Sequence, residues 1–571
     1  MASNSQGGVQ EALVLIENAG LSHPSGPLLS SFVTEALSPR LAAQHVLWTC
    51  QTSPDREADL LSLVSDWAYI VESFSLHGSP APAPDASTQL AITKRDGFKC
   101  CITGKAGHFW DPLVVVPILP VPSNLTEPEP RIFDMLGAFF TPPYRDWWLS
   151  HTRNPGDMSP YYTHWLVRKS AADAFSRGLL RLNRIQPSMI EYEVQPISIG
   201  SLANPIDLDG SYPLLGDHSR SGTKKVDARF VGTHARLAPS IRWLDVAKYA
   251  SLNKRIGPPP TTVLANQQIT NRQFGQSHGF SLMEFFNSIC LAAWRTVPAR
   301  ARIATYRLLQ KVGRRIYGAP GPFCLVQRLP FGLYLKYLGD PDGLHNEFNA
   351  IQMVRQYTSI PVPRPLDIVS KPTESEDGLY SRDAYLLTTR IPGVPLSYCR
   401  EMLSDEDAAD FVAQMQDYLT QLRAIPKAVS PEYAICNTLG GPCRDTRIQG
   451  GNPVGPFVDE ASFSQLLRNP DEPSRRGHKI VFTHADLNSR NILVDQVTRP
   501  DGTRGWRVMG IVDWENSGYY PEYWDYTKAL FEGFRYTQRW RNVMHETFRA
   551  FGDFSKEFEV EKRSWEEGDY V

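Results

Sequence analysis

The chain has 571 residues, 42% of them hydrophobic, and its 59 Lys+Arg nearly cancel its 61 Asp+Glu to leave a formal charge of −2. That much apolar residue builds conventional cores and excludes a wholly disordered chain, and the length suits about three or four units. The balanced charge lacks the basic field that would draw it to phosphate backbones or anionic membranes. Proline stands out at 45 residues, about 8% against a usual level near 5%, so stiff connections are expected. Eight cysteines are too sparse for a disulfide framework, and no CxxC or HxxxH zinc spacing occurs. The opening MASNSQGG lacks the charged and apolar regions of a signal peptide. The longest apolar run, LVVVPILPVP at 113–122, is too short for a bilayer. The expectation is a reduced, soluble, cytoplasmic protein with no membrane partner.

In chain order, Leu28, Leu29, Phe32 and Leu37, then Leu60, Leu61, Leu63, Val64 and Trp67, recur at helical spacing and predict several helices. GSPAPAPDAS at 78–87 reads as a linker, so residues 1–90 form a helical segment and linker. Mixed short strands and a helix are expected from Ala91 to about Val194. The polar stretch 196–229 and the proline-led 257–273 are the candidate boundaries. These divisions give a domain at 91–265 and a second, of alternating helices and strands, at 280–571.

The informative stretch is HKIVFTHADLNSRNILVD, 478–495. Two β-rich runs, Ile480–Thr483 and Asn491–Val494, flank a polar loop holding His484, Asp486 and Asn491. A carboxylate and a carboxamide five residues apart on such a loop suit phosphoryl transfer. Asp486 would take the attacking hydroxyl's proton, and Asn491 would offer an oxygen to Mg²⁺. His484 reads as a residue that orders the loop. Twenty-two residues past Asn491, GIVDWE (510–515) places Asp513 at the end of an apolar strand, after a hairpin turning at Asp501-Gly502. Its hard carboxylate oxygen is the second candidate metal ligand.

HADLNSRN followed by IVDWE resembles the aminoglycoside phosphotransferase/choline kinase branch of the protein-kinase-like superfamily, and NSGYYPEYWDYTKA (516–529) is similar to the segment that follows in fungal members. The resemblance implies ATP and Mg²⁺ as cofactors. It also implies a strand lysine paired with a helix glutamate, for which LPFGLYLKYLG (329–339) supplies Lys336 and LHNEFNAIQMVRQYT (344–358) supplies Glu347, beside the stripe Leu344, Phe348, Ile351 and Val354. SIPVPRPLDIV (359–369) leads into the next strand. AYLLTTRIPGVPL (384–396) looks like the last small-lobe strand running into an adenine-binding hinge at Thr388, Thr389 and Ile391. The phosphate cover falls on RIYGAPGP (315–322), where Gly318 and Gly321 give freedom but Pro320 and Pro322 each lack an amide. The aromatic-acidic patch Tyr519, Tyr520, Glu522, Trp524 and Asp525 reads as packing, with capture of an amine substrate as its functional rival.

Further upstream, ITKRDGFKCCITGKAG (92–107) resembles the start of fungal HNH-nuclease-like domains. Val114 stands where the resemblance implies the histidine base. WLVRKSAADAFSRGLL (165–180) looks like the metal-binding helix, with Ala172 and Ser176 at the ligand positions. Valine accepts no proton and alanine holds no metal, so the resemblance implies a degenerate domain without nuclease chemistry. His108 is a loop residue. Arg177, Arg181, Arg184, Lys224 and Lys225 form no basic stripe, so nucleic acid is not an expected partner.

The expected fold is α+β: a bilobal protein-kinase-like domain, with a five-stranded small lobe and a helical large lobe, preceded by an additional α+β, HNH-like, degenerate domain. The expected function is ATP- and Mg-dependent phosphorylation of a hydroxyl on a small molecule of aminoglycoside or aminoalcohol type. The rival is a nucleotide-binding scaffold with an inactive nuclease-like domain. Nothing in the sequence sets an oligomeric state.

Overall fold

Residues that pair polar and apolar positions at helical spacing build the first half of the chain. The computed structural model describes residues 3–51, 55–185, 191–200, 215–220, 222–253, 291–320, 325–337, 341–370, 384–531 and 537–567. The chain divides into two compact units, Met1–Arg255 with Glu401–Asp405, and Ile256–Arg400 with Glu406–Val571. The expected boundary segment 257–273 lies outside the described residues. Among those residues, no helix is long and apolar enough to cross a membrane.

The first unit runs α1 (Ser3–Asn18), α2 (Ser25–Thr34), α3 (Pro39–Gln51), α4 (Arg56–Ser73), α5 (Ala86–Arg95), β1 (Leu113–Pro117), α6 (Pro130–Phe140), α7 (Pro142–Arg153), α8 (Pro160–Thr163), β2 (His164–Arg168), α9 (Lys169–Ser176), β3 (Leu180–Arg184), β4 (Tyr192–Pro196) and α10 (Ala228–Asn253). Asp55 starts α4 by accepting the Ala58 N–H at 3.1 Å, the capping role for which a short carboxylate is suited. The predicted stripe on α4 buries Leu60, Leu63 and Trp67 but leaves Leu61 exposed. Trp67 packs on Phe32 and Phe139 at 5.1 and 4.5 Å between ring centroids. One hydrophobic cluster runs from Ala12 to Val246, so residues on both sides of the 78–87 linker share a core. Ser79, inside that linker, exchanges two backbone hydrogen bonds of 2.8 Å with Val121.

β1 and β2 pair antiparallel, with Val114 opposite Val167. The run expected as one helix at 165–180 is therefore corrected to a strand followed by α9, which carries Ala172 and Ser176. The β-rich WLVR pairs with β1, with Trp165, Leu166 and Val167 all buried, before the helix-favouring KSAADAFS begins.

The second unit begins with α11 (Ala299–Tyr317), β5 (Val326–Leu329), β6 (Leu333–Tyr337), α12 (Pro341–Tyr357), β7 (Pro365–Val369), β8 (Tyr385–Thr389) and β9 (Val394–Pro395). The strand expected over 329–339 is broken by a turn at Pro330–Gly332, where Phe331 takes φ 63°, so Lys336 sits on the second arm of a hairpin. The antiparallel sheet order is β5-β6-β8-β7. Among the described residues this sheet has four strands where five were expected. The residues before β5 form α11 instead, and residues 321–322 of the cover segment lie outside the description. Strand alternation gives the sheet two different faces. Leu335, Tyr337 and Leu387 pack with Ile303 and Tyr306 of α11. On the α12 side Leu344 clusters with Leu386, directly opposite Lys336 in the ladder.

The remainder contains α13 (Asp405–Arg423), β10 (Cys436–Asn437), α14 (Glu460–Ser464), β11 (Ile480–Thr483), β12 (Ile492–Thr498), β13 (Arg504–Ile511), β14 (Gly518–Pro521), α15 (Trp524–Leu530), α16 (Gln538–Arg549) and α17 (Ser555–Glu567). β12 and β13 form the hairpin that Asp501-Gly502 predicts, and β9 joins β12 on its other edge. β14 lies between β10 and β11.

Candidate active site

The loop between β11 and β12 carries Asp486 and Asn491, and its shape is set by residues around it. Ala485 sits in left-handed backbone at φ 63° and Asp513 at φ 68°. Both are strained for residues with a Cβ, the kind of strain that concentrates at functional sites. The buried Asp525 carboxylate holds the loop by accepting the N–H groups of His484 and Ala485 at 3.2 and 2.8 Å. His484 is fully buried. Its Nδ1 accepts the Asp486 N–H at 3.1 Å, and its Nε2 lies 3.0 Å from the Val512 carbonyl. The tautomer that satisfies both carries its hydrogen on Nε2. His484 thus ties the Asp486 loop to the residue before Asp513, in the ordering role its position suggested. A second tie runs from the Val512 N–H to the Asn491 carbonyl at 2.9 Å.

Within the loop, Asn491 Nδ2 donates to the Asp486 carbonyl and to its Oδ2, both at 2.9 Å. Arg490, half exposed, approaches the same carboxylate at 3.2 Å. Asp486 and Asn491 are both buried.

Lys336 lies on the α12 face of the sheet with its side chain 10% exposed, and three carboxylates surround its ammonium. Nζ is 2.9 Å from Glu347, 2.5 Å from Asp513 and 2.8 Å from Glu515. An ammonium has three N–H donors, and each has a carboxylate within reach. Burial alone would lower the Lys336 pKa, but Asp513, Glu347 and Glu515 hold it well above its usual value. Burial, opposed by Lys336 and reinforced by the other two carboxylates, pushes Glu347 up to about 7. The Lys336–Glu347 pair is therefore no exposed surface bridge. Oxygens of Glu347, Asp513 and Glu515 lie within 4.8 Å of one another.

Residues 336–562 match the phosphotransferase enzyme family. No curated protein matches the chain. Among solved structures, the apo form of a thermostable mutant of aminoglycoside phosphotransferase APH(4)-Ia is 15% identical, covering 42% of this chain and 81% of its own at a TM-score of 0.26. The GDP complex of aminoglycoside 2'-phosphotransferase-IIIa is 14% identical, covering 43% and 81% at 0.29. The GDP and kanamycin complex of APH(2")-IIia is 15% identical, covering 44% and 84% at 0.31.

The phosphotransferase-family region opens at Lys336 itself and takes in Glu347, Asp486, Asn491 and Asp513. Thr388 and Thr389 end β8, where the Thr389 hydroxyl accepts the Arg364 N–H at 2.9 Å. Ile391 follows and packs over Gly510 of β13. A Cβ on Gly510 would stand 2.6 Å from Ile391 Cδ1 and 2.8 Å from the Pro361 carbonyl, so only glycine permits this approach. A cavity of about 280 Å³ opens beside Glu515, with Asp342, Asn346, Asn437 and Arg444 among its lining. Asn346 braces this side by donating to the Glu515 and Ser517 carbonyls at 2.9 and 2.8 Å and accepting the Thr438 N–H at 2.9 Å.

Several residues of this region escaped the sequence reading. Glu515 stands in the quoted GIVDWE, and its spacing of two from Asp513 was the available signal. Tyr519, Tyr520, Trp524 and Asp525 are buried, with Tyr520 and Trp524 stacked at 5.8 Å. These four are packing, as expected, with Asp525 holding the loop, while Glu522 is part-exposed and faces Arg423 at 3.8 Å. Below the patch lies an ionic cluster. Arg447 contacts Asp445 at 2.8 Å and Glu561 of α17 at 2.9 Å, all with fully buried side chains. Against the desolvation of burial, Arg447 and Lys528 hold the Asp445 carboxyl well below the usual range.

Proposed function

We propose that the second unit transfers the terminal phosphoryl group of ATP to a hydroxyl of a small molecule. The observation that carries the reading is the assembly of a buried Lys336–Glu347 pair, Asp513, and the Asp486–Asn491 loop within a region of phosphotransferase-family sequence. In this reading Asp486 accepts the hydroxyl proton as the acceptor oxygen bonds to phosphorus and the bond to the leaving diphosphate breaks. Asn491 fixes Asp486 Oδ2 and keeps its own carbonyl oxygen for a cation. Lys336, held by Glu347, neutralises phosphate charge, and Thr388, Thr389 and Ile391 form the adenine-facing edge.

The donor set fits Mg²⁺: Asn491 and Asp513 are hard oxygen ligands, and one ammonium among three carboxylates leaves excess negative charge beside them. Mg²⁺ bound there would neutralise charge on the phosphates. Catalysis then rests on positioning and electrostatics. In this reading the cavity beside Glu515, with Asp342, Asn346, Asn437 and Arg444 in its lining, takes the small hydroxylated acceptor. In the first unit, Val114, Ala172 and Ser176 offer neither a base nor a metal cage, so nuclease chemistry is not part of the proposal.

The test is detection of phosphate transfer, by ³¹P resonance or mass, from Mg·ATP to a panel of aminoglycosides and aminoalcohols. Transfer that Asp486→Asn abolishes is expected. Absence of transfer from either ATP or GTP to every acceptor, with Asp486→Asn indistinguishable from wild type, overturns the reading.

A further inference from the structure

Lys528 is a buried lysine, 4% exposed, on α15. Desolvating an ammonium is expensive unless partners compensate it. Its partners are Asp445 Oδ1 at 3.3 Å, the Thr446 hydroxyl at 3.1 Å and Asp486 Oδ1 at 3.5 Å. Asp445 is already engaged by Arg447 on both oxygens, and Arg447 in turn by Glu561. A chain of alternating charge therefore runs inward from α17: Glu561, Arg447, Asp445, Lys528, Asp486.

The direction of Lys528 follows from helix geometry. Residues three apart on a helix share a face, and Asp525 is three before Lys528. Asp525 takes the backbone N–H groups of His484 and Ala485, while Lys528 reaches the side chain of the next residue, Asp486. One helical face thus grips the loop twice, once by backbone and once by carboxylate. Half-exposed Arg490 reaches both Asp486 oxygens, at 3.3 and 3.2 Å, but the buried partners differ: Oδ2 accepts from Asn491 at 2.9 Å, whereas Oδ1 faces Lys528 and, at 3.4 Å, Asn488. Partners on opposite oxygens fix the carboxylate plane.

We infer that Lys528 is a positioning residue for the phosphotransfer base, orienting the Asp486 carboxylate toward the acceptor hydroxyl from a site anchored by Asp445. The inference rests on the phosphotransferase reading above. Lys528 touches neither nucleotide nor acceptor in this role, so its removal should slow turnover without weakening nucleotide binding.

The test uses the full chain with Mg·ATP, measuring ADP release with water and with the aminoglycoside and aminoalcohol panel as acceptors, alongside the thermal shift induced by Mg·ATP. Lys528→Met should lower kcat by about tenfold or more, a modest share of what a positioned base contributes, with KM for ATP and the thermal shift near wild type. Lys528→Arg, which keeps the charge, should recover most of the loss. Lys528→Gln keeps a polar group in place and stands in if the methionine variant does not fold. Wild-type kcat in Lys528→Met or Lys528→Gln overturns the inference while leaving the phosphotransferase reading intact. So does a joint loss of kcat and nucleotide response that arginine fails to rescue, which marks a merely structural lysine. If wild type and Asp486→Asn both release no ADP under any condition, the underlying reading fails and this inference with it.

Discussion

His478 offers a measurable charge effect in the second unit. Its Nδ1 lies 2.6 Å from Glu460 Oε1 and its Nε2 3.4 Å from Glu557 Oε1, with the side chain 13% exposed. Burial disfavours the imidazolium, but the bonds to the two carboxylates more than offset it, and the pKa is pushed up to about 9. An unfolded histidine titrates near 6.5. The folded state therefore binds the proton more tightly, and the stabilisation is fully present below pH about 6.5 and lost as pH rises through about 9. At about 1.4 kcal/mol per tenfold in proton affinity, the charged triad contributes roughly 3 kcal/mol. Paired urea unfolding of wild type and His478→Gln at pH 6, 8 and 10 should show a stability gap that shrinks by about that amount. An imidazole titration by NMR should place the midpoint near 9. A gap that does not change with pH, or a midpoint near 6.5, refutes the reasoning.

Three further outcomes follow from the geometry. Gly510→Ala drives a Cβ into Ile391 and the Pro361 carbonyl. It should cost about 1–3 kcal/mol and weaken the Mg·ATP-induced thermal shift; unchanged melting and nucleotide response would contradict the close packing at that edge. Arg447→Met removes the guanidinium shared by the buried Asp445 and Glu561 carboxylates, leaving Asp445 to Lys528 and Glu561 to the Thr527 hydroxyl, and should cost about 3–5 kcal/mol in urea unfolding, so a loss below about 1 kcal/mol argues against an intact cluster. Asn346→Ala leaves the Glu515 and Ser517 carbonyls and the Thr438 N–H without their partner, at about 1–3 kcal/mol. Amide exchange across 513–518 should accelerate, and wild-type protection there would count against the bracing role.

The sequence disclosed those parts of the site whose geometry is local. Asp486 and Asn491 share one loop, so their spacing alone brings the two side chains together. Lys336 and Glu347 are joined by one strand–helix step, and the apolar stripe on α12 showed which face would turn inward. Strand limits were harder to read. The run 329–339 looks continuous until Phe331 adopts left-handed backbone, a turn that a bulky aromatic does not advertise. The WLVR run was absorbed into a helix because its pairing partner, β1, lies some fifty residues earlier. Long-range ionic chemistry left no trace in spacing. Arg447 finds Glu561 across 114 residues, and Lys528 finds Asp486 only because α15 folds back on the loop.

The placement of α11 bears on where the second unit can be cut. Family similarity begins at Lys336, yet β6 starts before it and is paired on one edge with β5. α11 lies so close to β5 that Gly313 has no room for a Cβ against the Arg328 carbonyl, and its Ile303 and Tyr306 share a core with Leu335 and Tyr337. A fragment begun at the first matched residue would split the lysine strand and bare a greasy underside to solvent. The smallest piece with a sealed sheet must reach back to about residue 291, because Leu291 and Trp294 pack on the same core and the Trp294 indole N–H donates to Asp367 of β7 at 3.1 Å, so the border drawn by family similarity falls inside a structural element rather than between two.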